Sequence, residues 1–321
     1  MKYEDGCRGF RTAIIGELKK VTEDQSRLIK GKYLSLKSNF KIIVELGKVR
    51  ISLPIALSAL TGFVMFTGEL NSQGWLLALG VFFMSCSSSS LNHWQESEID
   101  AQMPRTKNRP IPSGKISRKG AFLVATGFAL VGSVILILTN PLIALILSWA
   151  TLFSYNLVYT PLKKVTAFAV IPGSMVGALP PMIGWAGAGG SLTSEVILLM
   201  ATFFFIGQIP HFWLLLLMFG DQYKLAGMPS LNQIFNEGQL KRITYTWILT
   251  TIASALLVIF FVFTNQIIMF FLLFYTFYLL FSLTLAVFVQ KELAVRPAFF
   301  KLNFLYLFMM FFLIADSLLR T

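Results

Sequence analysis

Residues 74–110 read GWLLALGVFFMSCSSSSLNHWQESEIDAQMPRTKNRP, an apolar run that passes directly into a polar stretch. The first nineteen residues carry no charge and are long enough to cross a bilayer as a helix. Asn92, Glu96 and Asp100 then follow at four-residue intervals, which places one amide and two carboxylates on one face of a helix. The stretch therefore predicts a membrane helix that ends in an acidic, polar face.

The rest of the chain has the composition of an integral membrane protein. Of its 321 residues, 55% are hydrophobic and 13% are charged, whereas soluble domains carry about 25% charged residues. Apolar stretches of about 20 residues predict nine transmembrane helices. The predicted spans are 50–68, 74–92, 119–139, 141–158, 168–188, 194–219, 242–263, 266–289 and 298–317. We expect an all-α bundle that is capped on its cytoplasmic side by polar loops, chiefly 93–119 and 220–242.

The basic residues predict how this bundle is oriented. Residues 1–50 contain twelve Lys and Arg, and the segments 93–119, 159–167, 220–242 and 290–301 contain six, two, three and three. The alternate connections contain none. By the positive-inside rule, the N-terminus and the basic loops face the cytoplasm and the C-terminus lies outside. Orientation in the membrane and attraction to anionic lipid headgroups together explain the net charge of +12, so no nucleic-acid partner is needed.

Residues 1–49 are expected to form a basic cytoplasmic tail, and residues 50–321 the membrane domain. The tail lacks the early apolar run of a signal peptide, and its six acids argue against a mitochondrial transit peptide. Segments 10–15 and 28–36 fit either a basic interfacial helix or a solvated tail. Cys7 in the tail and Cys86 in a helix interior predict no disulfide.

Two carboxylates as close as Glu96 and Asp100 repel each other unless a positive charge lies between them. A hard cation such as Mg²⁺, held by few carboxylates together with substrate phosphates, meets that need. Arg105 and Arg109 follow closely, and guanidinium groups suit the remaining phosphate oxygens. The pattern predicts a metal–diphosphate site at the cytoplasmic side, with Mg²⁺ bound by Asn92, Glu96 and Asp100. The acids Glu69, Glu195 and Asp316 fall on the external side and have the pattern of solvated helix ends.

The motif Asn92-x3-Glu96-x3-Asp100-x2-Met103-x-Arg105-Thr106-x2-Arg109-Pro110 resembles the first signature of the UbiA family of membrane prenyltransferases. Its Met-x-Arg-Thr-x-x-Arg-Pro part is similar to the haem-modifying branch of that family. Further similar stretches occur in the same order within residues 50–320: 159–164, 173–185, 208–212 and 221–227.

This resemblance implies a UbiA-type helical bundle in the bacterial inner membrane that transfers a farnesyl group. The donor would be farnesyl diphosphate and the acceptor a vinyl group of haem B, and water addition would give haem O. The resemblance also implies Mg²⁺ as cofactor, and haem A synthase or terminal oxidase assembly proteins as partners. Lys163 and Lys164 would join the arginines at the diphosphate, while Asp221 and Tyr223 would belong to the second polar loop.

Two departures from the family pattern concern the acids. Glu96 stands where Asp is commoner, which lengthens the side chain by one methylene and keeps the ligand type. In the second loop an acid usually precedes the tyrosine directly, but Gln222 holds that place and Asp221 lies one position earlier. A shift of one residue rotates a side chain by about 100° around a helix.

The two histidines have different expected roles. His211 is the one histidine within a span, and imidazole suits haem iron, so axial ligation or lining of a haem pocket is one interpretation. The other is a hydrogen bond to a neighbouring helix. His93, beside Asn92, is expected either to support the acids or to be exposed.

Two other functions fit parts of the pattern. The first is prenyl transfer to an aromatic, quinone-precursor acceptor, which calls for a carboxylate-binding cation in the pocket. The second is a membrane transporter, because discontinuous helices and internal repeats occur in that class. A transported substrate would sit near the bilayer midplane, whereas the acids here gather at one interface.

Overall fold

The computed structural model describes residues 39–229, 231–288 and 294–320, and the chain divides into two units, Met1–Glu45 and Leu46–Thr321. The tail segments 10–15 and 28–36, and Cys7, lie outside the described residues. The predicted boundary between residues 49 and 50 stays a prediction. In the first unit, the described residues 39–45 are helical.

The second unit is all-α, as predicted. Over the residues described, nine helices are long and apolar enough to cross a membrane. They are α1 (Val49–Thr67), α2 (Ser72–Gln102), α3 (Arg118–Thr139), α4 (Leu142–Leu162), α5 (Ala167–Gly187), α6 (Glu195–Leu225), α7 (Glu237–Val262), α8 (Gln266–Phe288) and α9 (Val295–Leu319). The two longest connections between described helices are 103–117, which joins α2 to α3, and 226–236, which joins α6 to α7.

Two helices run well past their predicted ends. The α2 helix continues ten residues beyond the predicted span to Gln102, and α6 continues to Leu225. The polar loops are therefore shorter than the predicted 93–119 and 220–242, and their first residues are helical. A hydropathy scan ends a span at the first charges, whereas backbone hydrogen bonds carry a helix onward until a residue such as Pro104 stops it.

Two helices contain local irregularities. In α4 an α-helix, Leu142–Phe153, passes into a π-helix, Ser154–Tyr159, before a last α-helical turn. In α5 a 3₁₀ turn, Ala167–Ala169, precedes two α-helical pieces, Val170–Gly173 and Met175–Gly187.

Helices α1 and α5 are in backbone-to-backbone contact. A Cβ atom added at Gly184 would lie 1.7 Å from the Ala59 carbonyl oxygen, and one added at Gly62 would lie 2.0 Å from that of Pro181. Only glycine permits such an approach, which raises van der Waals contact where lipid offers no hydrophobic driving force. One buried apolar cluster is drawn mainly from α1, α2, α4 and α5, and a second from α6 to α9.

Asp316 corrects an expectation, because it is fully buried and not a solvated helix end. Its carboxylate accepts hydrogen bonds from the backbone N–H groups of Thr264 and Asn265, at 3.1 and 2.7 Å, just before α8 begins. Arg320 forms an ion pair with it at 2.6 Å and also donates to the carbonyl oxygen of Val262. The acid therefore joins the α7–α8 turn to the end of α9. Glu69 and Glu195 are exposed, as expected.

Candidate functional site

The acid face, defined as Asn92, Glu96 and Asp100, lies on the last three turns of α2 and is buried. The three residues are 2%, 6% and 1% exposed. Because α2 stays helical through Gln102, the four-residue spacing brings the amide and both carboxylates onto one side, as the sequence predicted.

Each carboxylate of the acid face is paired with a basic residue. Lys163, which follows α4, places its Nζ 2.6 Å from Glu96 Oε1. Arg109 donates through one guanidinium nitrogen to both oxygens of Asp100, at 2.8 and 2.7 Å. The loop after α2 holds Arg109 in this position, since Thr106 Oγ1 donates to the Asp100 carbonyl oxygen at 2.9 Å.

Lys48 is a third basic residue at the acid face, and the sequence did not single it out. It lies just before α1 and donates from Nζ to Asn92 Oδ1 at 2.9 Å. Its φ of 44° and ψ of 51° are left-handed, which is costly for a residue with a Cβ and often marks a functional site. Burial, and then the nearby Arg109 cation, lower the pKa of Lys48 to about 7. From the sequence, Lys48 is only one of the basic residues that predict the orientation in the membrane.

When Lys48 is protonated the site carries a net positive charge, because the three cations Lys48, Arg109 and Lys163 then exceed the two carboxylates by one. Burial alone would lower the pKa of Lys163, but the Glu96 carboxylate more than offsets it and the pKa is raised. We call these three residues the cation cluster. A buried site with this balance suits an anionic ligand.

The acid face also fits a hard divalent cation. Among the described residues, no three His, Cys, Asp or Glu side chains form a ready metal-binding group. Two carboxylates and one amide do converge, and oxygen donors of this number suit Mg²⁺ when substrate phosphates supply the remaining ligands. The donor chemistry therefore agrees with a metal that binds together with a diphosphate.

The other predicted diphosphate ligands lie outside this cluster. Arg105 is exposed, with its guanidinium carbon 4.8 Å from the Phe219 ring centroid. Lys164 is exposed and donates to the Gln95 carbonyl oxygen at 3.4 Å. Their phosphate contacts stay predictions, but the structure does not bring either side chain to the acid face.

The second polar stretch lies on the end of α6 instead of in a loop. Asp221 is exposed and forms no ion pair with any described residue. Gln222, which holds the place of the family's acid, accepts a hydrogen bond from the Arg105 backbone N–H at 3.2 Å. Tyr223 is an electrostatic neighbour of Lys163. The one-residue shift thus leaves Asp221 in solvent, while its two successors approach the first loop and the cation cluster.

A cavity lies beside the acid face, among α1, α2, α4, α5 and α6. Lys48 lines one part of it, and much of the remaining surface is apolar, including Ile51, Ile55, Val81 and Leu215. Tyr155 lines the cavity and is an electrostatic neighbour of both Glu96 and Lys163. The cavity therefore borders the charged site through Lys48 and Tyr155.

Aromatic rings occupy the junction between the cavity and the cation cluster. The ring centroids of Tyr155 and Tyr159 are 5.4 Å apart, and Phe212 of α6 lies 5.6 Å from Tyr159. The π-helix that carries both tyrosines is held by Asn156, whose amide donates to Ser88 O and Gln95 Oε1, at 3.0 and 3.1 Å. Single π-helical turns are often found at functional sites. Gly173 leaves room for Tyr159, because a Cβ there would lie 2.4 Å from its ring.

Both histidines are placed by the structure. His211 lines the cavity, with its ring 4.9 Å from Phe299 and hydrogen-bonded to Asn303 of α9. The expected hydrogen bond to a neighbouring helix is therefore present, while a contact of His211 with haem stays a prediction. His93 is 2% exposed, so it is not a solvent-exposed residue. Neither of its ring nitrogens has a hydrogen-bond partner among the described residues, and Lys48 and Arg109 are its charged neighbours.

These features define a class of helical membrane proteins in which a buried charged site opens on a largely apolar cavity. Comparison with known families identifies which family of this class the chain belongs to. The chain belongs to the UbiA prenyltransferase family, whose pattern matches residues 53–312.

Solved structures share this fold. A UbiA homolog from Aeropyrum pernix superimposes with a TM-score of 0.68 at 15% identity, covering 84% of this chain and 98% of that one. A UbiA homolog from Archaeoglobus fulgidus, solved bound to GPP and Mg²⁺, gives 0.64 at 16% identity, covering 85% and 99%. At these identities the likeness shows the fold alone.

Curated relatives are closer in sequence. A Protoheme IX farnesyltransferase of Oleidesulfovibrio alaskensis is 38% identical over 185 residues, which is 58% of this chain and 66% of the relative. One of Anaplasma phagocytophilum is 39% identical over 190 residues, 59% and 64% of the two chains. The matched stretch thus spans about two thirds of the length of these relatives.

Proposed function

We propose that the chain transfers a farnesyl group from farnesyl diphosphate to a vinyl group of haem B, giving haem O. The observation that carries this proposal is the buried acid face with its cation cluster, next to a largely apolar cavity that Lys48 lines. The names of the curated relatives support the choice of donor and acceptor.

The charges at the site account for donor binding. We infer that the diphosphate lies between the cation cluster and a Mg²⁺ ion held by Asn92, Glu96 and Asp100. When bound, Mg²⁺ supplies a Lewis acid that neutralises charge on the leaving diphosphate. Lys48, Arg109 and Lys163 then donate to phosphate oxygens, where positive groups stabilise the charge that develops as the bond to carbon breaks.

The cavity accounts for what happens to the carbon chain. We propose that its apolar surface binds the isoprenoid. The neighbouring rings of Tyr155, Tyr159 and Phe212 are the proposed groups that stabilise the carbon that becomes positive. His211 and its neighbours are the proposed contacts for the haem macrocycle. The loop that carries Arg105 and the end of α6 meet through Gln222, and we infer that this contact keeps bulk water from the cation.

The proposed orientation rests on the positive-inside rule. Because the basic residues lie in alternate loops, we infer that the site faces the cytoplasmic side of the bacterial inner membrane and that the C-terminus lies outside. Haem A synthase or oxidase assembly proteins remain the proposed recipients of the product.

A second acceptor class has one observation in its favour. Lys48 lines the cavity, so a carboxylate-binding cation, which an aromatic acid requires, is present. Haem B also carries carboxylates, in its propionate groups, and Lys48 therefore suits either acceptor. The relatives' names favour haem.

The test is a product assay on membranes containing the chain. Haem B, Mg²⁺ and farnesyl diphosphate are supplied, and mass spectrometry looks for farnesylated haem, with 4-hydroxybenzoate as the competing acceptor. Asp100→Ala is expected to abolish the product. Glu98→Ala is the matched control, since Glu98 is an exposed acid on the same helix that pairs with Arg118. A prenylated aromatic acid without prenylated haem, or wild-type turnover by Asp100→Ala, would overturn the proposal.

A further inference from the structure

One side of the cavity is lined by hydroxyl groups, although an isoprenoid pocket needs none. Ser85, Ser88 and Ser89 of α2 and Ser148 and Thr151 of α4 all line it. Placing hydroxyls against a hydrocarbon ligand costs free energy unless they have hydrogen-bond partners. Their presence gives this side of the cavity groups that can bind a polar molecule.

Most of these hydroxyls already donate within the protein. Ser85 donates to Ser52 Oγ at 3.0 Å, Ser88 to Asn156 Oδ1 at 2.7 Å, and Ser148 to the Ala144 carbonyl oxygen at 2.7 Å. Thr151 donates to the Leu147 carbonyl oxygen at 2.7 Å. A hydroxyl that donates keeps lone pairs with which it can accept.

Ser89 differs from the others. The residue is 9% exposed, it lines the cavity, and its hydroxyl has no hydrogen-bond partner among the residues that the structure describes. It lies three residues before Asn92, which is a rise of about 4.5 Å along the helix axis. An unpartnered hydroxyl is thus available in the cavity, one turn away from the acid face.

The proposed reaction requires water at that place. Farnesyl C1 bonds to the terminal vinyl carbon as its bond to the diphosphate oxygen breaks, and the positive charge moves to the vinyl carbon beside the macrocycle. That carbon is two bonds from C1, so the oxygen that captures it must approach within a few ångströms of the diphosphate site. Water that reached C1 first would give farnesol instead.

We propose that Ser89 holds the water molecule that adds to the haem vinyl group. The water oxygen bonds to the cationic vinyl carbon, and one of its protons passes to the departing diphosphate, which leaves a hydroxyethyl linkage and a protonated diphosphate. Ser89 is a positioning residue that directs the oxygen toward the second carbon and away from C1. This inference rests on the proposed farnesyl transfer.

The experiment measures how the product divides between two masses. Without a positioned water the cation loses a proton and gives farnesylated haem that is lighter by one water. Purified chains are supplied with haem B, Mg²⁺ and farnesyl diphosphate, and the hydroxylated and water-free products are quantified together with farnesol. Ser89→Ala is expected to raise the ratio of water-free to hydroxylated product at least roughly threefold, the effect of losing one neutral hydrogen bond.

Two further variants make the result decisive. Ser87→Ala removes a buried, unpartnered hydroxyl on the same helix that does not line the cavity, and it should give the wild-type ratio. Ser89→Thr keeps the hydroxyl and should also keep that ratio. If Ser89→Ala makes no farnesylated haem, Ser89→Thr decides: hydroxylated product supports the inference, and its absence overturns it.

The remaining outcomes separate this inference from the proposed function. An unchanged ratio in an active Ser89→Ala overturns the water site and leaves farnesyl transfer standing. If the wild-type chain makes only farnesylated haem without added water, the water site is also overturned and farnesyl transfer again stands. Failure of the wild-type chain to farnesylate haem at all removes the proposed function, and the water site with it.

Discussion

Replacing Lys48 with glycine is expected to separate stability from ligand binding. The lysine adopts a left-handed backbone conformation and donates its one recorded hydrogen bond to Asn92. Glycine adopts that conformation without strain, so Lys48→Gly relieves a backbone penalty while it removes a cation. Lys48→Met removes the cation and keeps the penalty.

The magnitudes follow from these contacts. A left-handed residue with a Cβ costs about 1–2 kcal/mol, and the lost hydrogen bond to Asn92 contributed about 1 kcal/mol, so the two nearly cancel in the glycine variant. We expect its free energy of unfolding to lie within about 1 kcal/mol of wild type, and that of Lys48→Met to lie below it. A hydrogen bond to a charged phosphate contributes about 1.5–3 kcal/mol, so both variants should bind farnesyl diphosphate roughly 10- to 150-fold more weakly.

The affinity is measured by calorimetry, in which a non-hydrolysable farnesyl diphosphate analogue and Mg²⁺ are titrated into the detergent-purified chain. Stability is measured by thermal unfolding. Arg50→Met is the control, because Arg50 is an exposed cation two residues away with no recorded partner among the described residues. It should leave the affinity unchanged. Wild-type affinity in Lys48→Gly, or an equal loss in Arg50→Met, would refute a role for Lys48 at the diphosphate.

Three other substitutions test the rest of the structure. Gly184→Ala forces a Cβ toward the Ala59 carbonyl oxygen and should destabilise the fold by about 1–3 kcal/mol, as measured by thermal unfolding. Gly127 has open space around it, so the control Gly127→Ala should be neutral or stabilising in the same assay. Asp316→Ala removes the carboxylate partner of Arg320 and leaves two backbone N–H groups unpaired, so it should lower stability by roughly 2 kcal/mol or more. The affinity for the donor analogue, measured by titration, should stay unchanged. Asp221→Asn should reduce turnover in the product assay by less than twofold, because an exposed charge contributes little interaction energy. A loss of turnover as large as that of Asp100→Ala would show that Asp221 enters the site.

The fold was largely predictable from the sequence because a bilayer restricts the chain to few structures. Spanning segments need about 20 apolar residues and must satisfy their own backbone hydrogen bonds, so hydropathy located all nine helices found among the described residues. Helix ends were less predictable. The α2 and α6 helices extend beyond the apolar spans because backbone hydrogen bonds can continue a helix past the last apolar residue.

The acid face was predictable for a similar reason. Residues that share one helix keep a fixed angular relation, so the spacing of Asn92, Glu96 and Asp100 already placed them together. The pairing of Glu96 with Lys163 and of Asp100 with Arg109 agrees with the expectation that positive charge must offset these acids.

What the sequence determined by itself was local: helix number, the shared face of three residues on α2, and the clustering of charge at one end. Tertiary structure decided which distant residues meet there. Lys48 reaches Asn92 from the turn before α1, and Gln222 instead of Asp221 meets the first loop. Asp316 is hydrogen-bonded to a turn 51 residues away. Periodicity along one helix carries no information about rotation and height relative to its neighbours, which are decided by the packing of α1 on α5 and of α9 on the α7–α8 turn.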